Sequence, residues 1–341
     1  MNDNRFQPPP RTPWARTPTP LHRLPKLSKE WGVDLWVKRD DQTGFEWSGN
    51  KIRKLEFIVH EALEKGATAL ITCGGVQSNH CRATAALAAK LGLRCVLVLR
   101  GERPPRYASN NLLDQLFGAE ILYVTTEQYQ NMQEVRMVLD SQMRSQGGRS
   151  YFIPEGGSNG LGAMGYLAAW DELLEQLGRD GVPEAFDSVV VAHGSGGTQA
   201  GLVLGKILRS EQRMHECRVV GVNVCYDAGK SLELVKTVMW NAIQGWKMPL
   251  SFMASDMEML DGFVGRGYAR SAPEELRFLA HVARTEGMLV DPVYTGKALF
   301  GLRETLRRDP TFFGSRVLFW HTGGAFGNFQ VEDSEWREVL P

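Results

Sequence analysis

The sequence lacks paired cysteines. Five cysteines stand at positions 73, 81, 95, 217 and 225, an odd number without a Cys-x-x-Cys spacing. That argues against a disulfide framework and for free thiols in a reducing cytoplasm. Cys73 and Cys95 fall in apolar runs and read as core, whereas Cys81 follows His80 at a polar junction. The seven histidines show no ligand spacing with cysteines or carboxylates, so no metal site is expected. Neither charge sign is in excess, with 39 Lys and Arg against 39 Asp and Glu. Bulk charge therefore gives no reason to expect a nucleic-acid partner. No apolar run approaches the roughly 20 residues that cross a bilayer, so no membrane association is expected. The stretch Met1–Thr19 is rich in Pro, Arg and Thr and lacks a signal-type apolar centre. It reads as a short extended arm. There is no internal repeat and no GxxxxGK[ST] loop, and the first βα unit lacks a dinucleotide fingerprint.

What the chain does have is alternation. Short β-rich runs are predicted at 35–38, 69–73, 94–99, 120–124, 150–153, 188–192, 219–224 and 316–320. Between them lie amphipathic stretches, predicted as helices near 51–65, 78–91, 110–116, 127–145, 162–177, 198–208, 229–241, 272–286 and from 296. Such repetition predicts an α/β fold of open, mostly parallel twisted sheets flanked by helices. A chain of 341 residues allows two domains. The glycine-rich break Pro154–Gly160 marks the crossover between them.

Lys51 opens the first long helix, with Asn50 or Ser48 as the expected capping residue. A helix start disfavours a second cation, and burial favours the neutral amine, which is a nucleophile. A solvated surface lysine is the other reading of this stretch.

Ligands of open α/β sheets bind beyond the carboxyl ends of the strands. Four glycine-containing polar segments follow strands here: 75–80, 193–198, 294–296 and 321–324. The loop Gly194-Ser195-Gly196-Gly197-Thr198 suits an anion, because its backbone can approach closely and a helix start follows. An ordinary strand–helix turn would look the same. Ser78, Asn79 and His80 open another helix, either as a plain cap or as a carboxylate site. Asn79 offers a donor and an acceptor to a phenolic oxygen. Tyr294 is either a core aromatic or a stacking partner for a ring. Thr295 is either an N-cap or a partner for a ring nitrogen. A phosphate-bearing cofactor other than a nucleotide fits these segments together.

The sequence resembles the pyridoxal 5'-phosphate (PLP) dependent family that contains D-cysteine desulfhydrase and 1-aminocyclopropane-1-carboxylate (ACC) deaminase. The residues that carry the resemblance are 38–41, 48–56, 74–80, 194–201 and 321–324, within a similarity running from about Pro20 to Gly327. The resemblance implies the tryptophan synthase β-like fold (type II). Its large domain would comprise 1–53 plus 162–341 and its small domain 54–161, with the chain acting as a homodimer. It implies Lys51 as the Schiff-base lysine, Asn79 on the ring hydroxyl and Tyr294 stacked on the ring. The phosphate would lie in the 194–198 loop with help from Lys54. Thr295 and Thr322 complete the cofactor set. Ser78, Asn79, His80, Tyr268, Thr322 and Gly323 would face a small amino-acid substrate.

Thr295 and Thr322 resemble the desulfhydrase pair, where ACC deaminase-like sequences carry Glu and Leu. The expected reaction is therefore β-elimination of D-cysteine to pyruvate, ammonia and sulfide. Lys51, Tyr268 or Tyr294 would take the α-proton, and Ser78 completes the catalytic set. Alternatives are ACC deamination, sulfo-elimination of cysteate with Arg266 as a clamp, or a PLP-binding protein without turnover.

Overall fold

The computed structural model describes residues 6–211 and 213–340; residues 1–5 of the expected N-terminal arm lie outside the described part. Its strands are β1 (Leu21–Arg23), β2 (Asp34–Arg39), β3 (Ala69–Gly75), β4 (Arg94–Arg100), β5 (Glu120–Val124), β6 (Ser150–Ile153), β7 (Ser188–His193), β8 (Arg218–Asn223), β9 (Glu258–Leu260) and β10 (Arg316–His321). They form a six-stranded sheet of order β1-β2-β10-β7-β8-β9 and a four-stranded sheet of order β5-β4-β3-β6. The small sheet is parallel throughout, and in the large one only β1 runs antiparallel, against β2. Helices on the faces bury β7 entirely. Its near-continuous Ser-Val-Val-Val-Ala-His run is the pattern of a parallel strand covered on both faces.

Every strand expected from the sequence is present. The three-residue strands β1 and β9 were not expected, being too short to show a period. The single helix expected over 127–145 is two, Thr126–Gln130 and Met132–Ser145, parted at Asn131.

The helix Lys51–Glu64 lies between the two sheets and packs against both helix Gly160–Gln176 and helix Asn79–Leu91. One apolar cluster, including Ile58, Leu87, Leu161 and Leu204, runs through all three and into helix Gly197–Leu208. The described part of the N-terminal arm lies along the first of these helices. Buried Glu56 accepts hydrogen bonds from the Trp14 and Ala15 amides, each 2.8 Å, and from Arg11 at 3.0 Å.

The foot of that helix is fixed by charge. Buried Arg53 donates to both oxygens of buried Asp40 at 2.8 Å, and to Glu172 at 2.8 and 3.0 Å. Asp40 also accepts from Thr19, Tyr166 and Trp320 at 2.7–2.9 Å. Lys38 joins through Glu172, Gln176 and the Thr19 carbonyl. Burial pushes the Asp40 carboxyl up, but Arg53 and these donors more than offset it and hold the group down at about 2.

Candidate active site

The turn before Lys51 is held by backbone contacts that need glycine. Gly49 sits at φ +104°, and a Cβ there would lie 2.7 Å from the Thr322 carbonyl oxygen. Opposite it Gly323 sits at φ +88°, where a Cβ would lie 2.6 Å from the Gly49 Cα. The Asn50 amide donates to the Thr322 carbonyl at 3.0 Å, so the 48–51 and 321–324 turns meet directly. Arg82 adds bonds to the Glu46 and Ser48 carbonyls at 2.7 and 2.8 Å.

The capping expectation needs correction. Asn50 has helical angles and its side chain caps nothing. Its amide group instead donates to Thr198 Oγ1, and its Oδ1 accepts from Lys51 Nζ, each at 2.9 Å. Lys51 thus starts a helix with no acidic residue in the first turn. Burial, with the Arg82 charge in support, pushes its amine from 10.5 down to about 8. Cys225, Asp291 and Glu155 pull only partly the other way.

One turn on, Lys54 is buried beside the glycine loop. Its Nζ donates to the Gly156 carbonyl and to Ser158 Oγ, both at 3.1 Å. Ser158 Oγ pairs with Ser195 Oγ at 2.7 Å and accepts from the Gly197 amide at 3.3 Å. Gly196 (φ +83°) precedes helix Gly197–Leu208, and no side chain caps that helix start. A Cβ on Gly197 would fall 2.6 Å from Ser158 Oγ and 2.9 Å from Lys54 Nζ. Burial and the nearby Lys51 push the Lys54 amine well below its ordinary value.

Ser78 caps helix Asn79–Leu91, accepting from the Cys81 amide at 3.2 Å. Asn79 Oδ1 accepts from Asn110 at 2.9 Å, which leaves its amide donors for other partners. His80 Nε2 pairs with Thr72 at 2.8 Å, while its buried Nδ1 has no partner. Burial and the two lysines push that imidazole well below its ordinary value.

Tyr268 and Tyr294 meet hydroxyl to hydroxyl at 2.8 Å, with their rings edge to face. Burial raises the Tyr294 phenol well above its ordinary value. Buried Asp291 sets the turn that carries Tyr294, accepting from the amides of Val293, Tyr294 and Thr295 at 2.7–3.0 Å. Thr295 also gives its hydroxyl proton to Asp291 at 2.6 Å.

These elements enclose one cavity. Lys51, Lys54, Ser78, Asn79, His80, Gly194, Ser195, Gly196, Thr198, Tyr268, Tyr294, Thr322 and Gly323 line it. Gly197 and Thr295 do not line it, and the Gly197 amide is bound to Ser158 Oγ. Cys81 is buried off the wall, and Arg266 is exposed and off the wall. The sequence reading missed Arg100, Glu155, Cys225 and Tyr226 on the wall and Asp291 and Ser158 behind it. Four of these share a signal: they stand at or just past the ends of β4, β6 and β8. Burial pushes the Cys225 thiol up to about 12, so it stays protonated. Among the described residues no group of His, Cys, Asp and Glu is arranged to hold a metal.

The cavity offers a phosphate the donors of its glycine-loop wall, Ser195, Thr198 and Lys54. It also has two buried ring nitrogens without partners, His80 Nδ1 and His193 Nε2. A phosphate-bearing ring aldehyde fits this donor set and the Lys51 amine. Fold and cavity thus define a two-sheet α/β enzyme built around such a cofactor.

The chain belongs to the family of pyridoxal-phosphate dependent enzymes, whose model matches residues 15–323. It is 43% identical over 318 residues to a Thermotoga maritima protein named "Putative 1-aminocyclopropane-1-carboxylate deaminase", covering 92% of this chain and 95% of that one. It is 39% identical to the mitochondrial bifunctional D-cysteine desulfhydrase/ACC deaminase of Arabidopsis thaliana, covering 94% and 79%. A D-cysteine desulfhydrase of Klebsiella pneumoniae is also 39% identical, covering 95% and 96%. A solved structure of an ACC deaminase homologue superposes with a TM-score of 0.86 at 34% identity, covering 97% and 96%. The expected family, fold class and cofactor all stand.

Proposed function

We propose that this PLP-dependent enzyme is a lyase that eliminates the β-substituent of a small amino acid, with D-cysteine giving pyruvate, ammonia and sulfide. The observation that carries the reading is the convergence of Lys51, an amine near 8, with the Tyr268–Tyr294 hydroxyl pair and the Ser78-Asn79 turn on one cavity. Lys51 would hold the cofactor aldehyde, and Lys54, Ser195, Thr198 and the 194–198 backbone its phosphate. Asn79 and Tyr294 would meet the ring. When bound, PLP supplies an electron-withdrawing ring that acidifies the substrate α-carbon.

The residues then divide the work by their proton affinities. Released Lys51, with neutral and protonated forms both populated near pH 8, takes the α-proton. Tyr294 keeps its proton because burial raises it, and Tyr268 is hydrogen-bonded to it, so Tyr268 acts as donor to the departing thiolate rather than as base. Ser78 and the helix start beneath it receive the α-carboxylate. The C–S electron pair leaves with sulfur, and one water converts the remaining enamine to pyruvate and ammonia.

D-cysteine is preferred over ACC because positions 322 and 295 carry Thr, not a carboxylate, and of the two only Thr322 lines the cavity. Thr295 is engaged by Asp291, which leaves Thr322 to face the ring. ACC deamination is the second reading, favoured by the similarity to the Thermotoga protein. The same proposal includes the domain division 1–53 plus 162–341 against 54–161, a homodimer, and a reducing cytoplasm that keeps all five cysteines free. Among the described residues no helix is long and apolar enough to cross a membrane.

The test is a side-by-side assay of the purified enzyme with D-cysteine, L-cysteine, cysteate and ACC. Pyruvate and sulfide should appear fastest from D-cysteine. Release of 2-oxobutanoate from ACC at a rival rate would move the assignment to deamination.

A further inference from the structure

One cation on the cavity wall has no assigned task. Arg100 is the last residue of β4 and lines the cavity, yet its guanidinium makes no ion pair or hydrogen bond to any described residue. It lies over the Tyr129 ring, 4.9 Å from the centroid. The ring contact holds the guanidinium in place and leaves its N–H groups free to donate. A planar fork of donors is shaped for an oxyanion.

Its position is on the substrate side. Arg100 pairs in register with Gly75, the residue next to the Ser78 turn. A Cβ on Gly75 would lie 3.5 Å from the Tyr268 ring, so Tyr268 covers the same strip of wall. The other cation of the wall besides Lys51 is Lys54, and it is engaged at the glycine loop. Glu155 is the one carboxylate on the wall among the described residues, and it forms no ion pair with Arg100. Glu155 is a negative charge on the same wall, so it opposes whatever anion Arg100 attracts.

We propose that Arg100 forms a subsite for an oxyanion on the β-substituent of the substrate. The subsite extends the β-elimination from cysteine to amino acids whose leaving group carries a sulfonate, and the inference rests on that reaction. The balance needs no oxidant or reductant. The α-proton goes to Lys51, the bond from Cβ to sulfur breaks with its pair on sulfur, and one water completes the products. Cysteate would give sulfite, pyruvate and ammonia, whereas S-sulfocysteine would give thiosulfate in place of sulfite.

The experiment compares wild-type holoenzyme with Arg100→Gln, Arg100→Lys and Glu155→Gln on β-chloroalanine, cysteate and S-sulfocysteine. The quantity read is the ratio of kcat/KM for each sulfonate to that for β-chloroalanine. Loss of charged hydrogen bonds should lower the ratio about 10- to 100-fold in Arg100→Gln. Arg100→Lys should retain part of it, and Glu155→Gln should raise it. Calorimetry with 3-sulfopropanoate, which has no amine to react, should show a parallel loss of affinity in Arg100→Gln. Unchanged ratios together with unchanged 3-sulfopropanoate affinity would overturn the subsite. Absence of pyruvate from β-chloroalanine in the wild type would instead overturn the elimination reading, and the calorimetry would still decide on Arg100.

Discussion

Two faces of one helix hold buried cations in opposite ways. On one face of Lys51–Glu64, Arg53 is saturated by Asp40 and Glu172, and its guanidinium is held well above its ordinary value despite its burial. On the other, half-buried Lys51 and buried Lys54 lie against carbonyls and hydroxyls with no carboxylate partner, and both amines are pushed down. Burial alone therefore does not decide what a charge does. A compensated cation fixes the helix in place, whereas an uncompensated one is left as a reactive amine. The two faces need each other, since the ion network sets the position from which Lys51 projects.

Breaking the reactive face has the largest expected effect. Lys51→Ala should abolish turnover and the visible absorbance of the lysine-bound cofactor, while thermal unfolding shifts little. The proton-transfer role alone is worth about 10²–10⁴-fold. Full activity in this variant would sink the assignment.

Breaking the other face should reverse the pattern. Asp40→Asn leaves Arg53 without its main partner and should cost about 3–5 kcal/mol of stability, read by denaturant unfolding. The pH dependence has a definite sign. The folded value of Asp40 lies near 2, below its ordinary 3.8, so its stabilisation is full above about pH 4 and is lost as pH falls toward 2. A wild-type stability that stays flat across that window would contradict the role given to the network. A smaller effect is expected at the phosphate cradle. Lys54→Met should weaken PLP binding about 10- to 100-fold by fluorescence titration, the scale of losing a charged hydrogen bond, and leave unfolding nearly unchanged.

The difference between the faces was only partly legible in the sequence. Apolar alternation marked the long strands, because a buried parallel strand needs a continuous apolar run. The site turns were visible because glycine punctuates them, and Lys51 stood out as a cation at a helix start. The ion network was not legible, since Lys38, Asp40, Arg53 and Glu172 meet only when β2 and two helices pack together. Arg100 and Cys225 stayed hidden for a similar reason: strand ends that are distant in sequence come together only in the folded sheets. Asn50 misled because its capping chemistry is local, while its bond to Thr198 depends on the tertiary fold. Thr295 gave no sign that Asp291, four residues earlier, would engage its hydroxyl.

The claim that uncompensated burial makes Lys51 a reactive amine is tested most directly by the pH dependence of cofactor capture. The rate at which cofactor-free protein takes up PLP should rise with pH through a midpoint near 8, where the amine loses its proton. A midpoint near the ordinary lysine value of 10.5 would contradict the account.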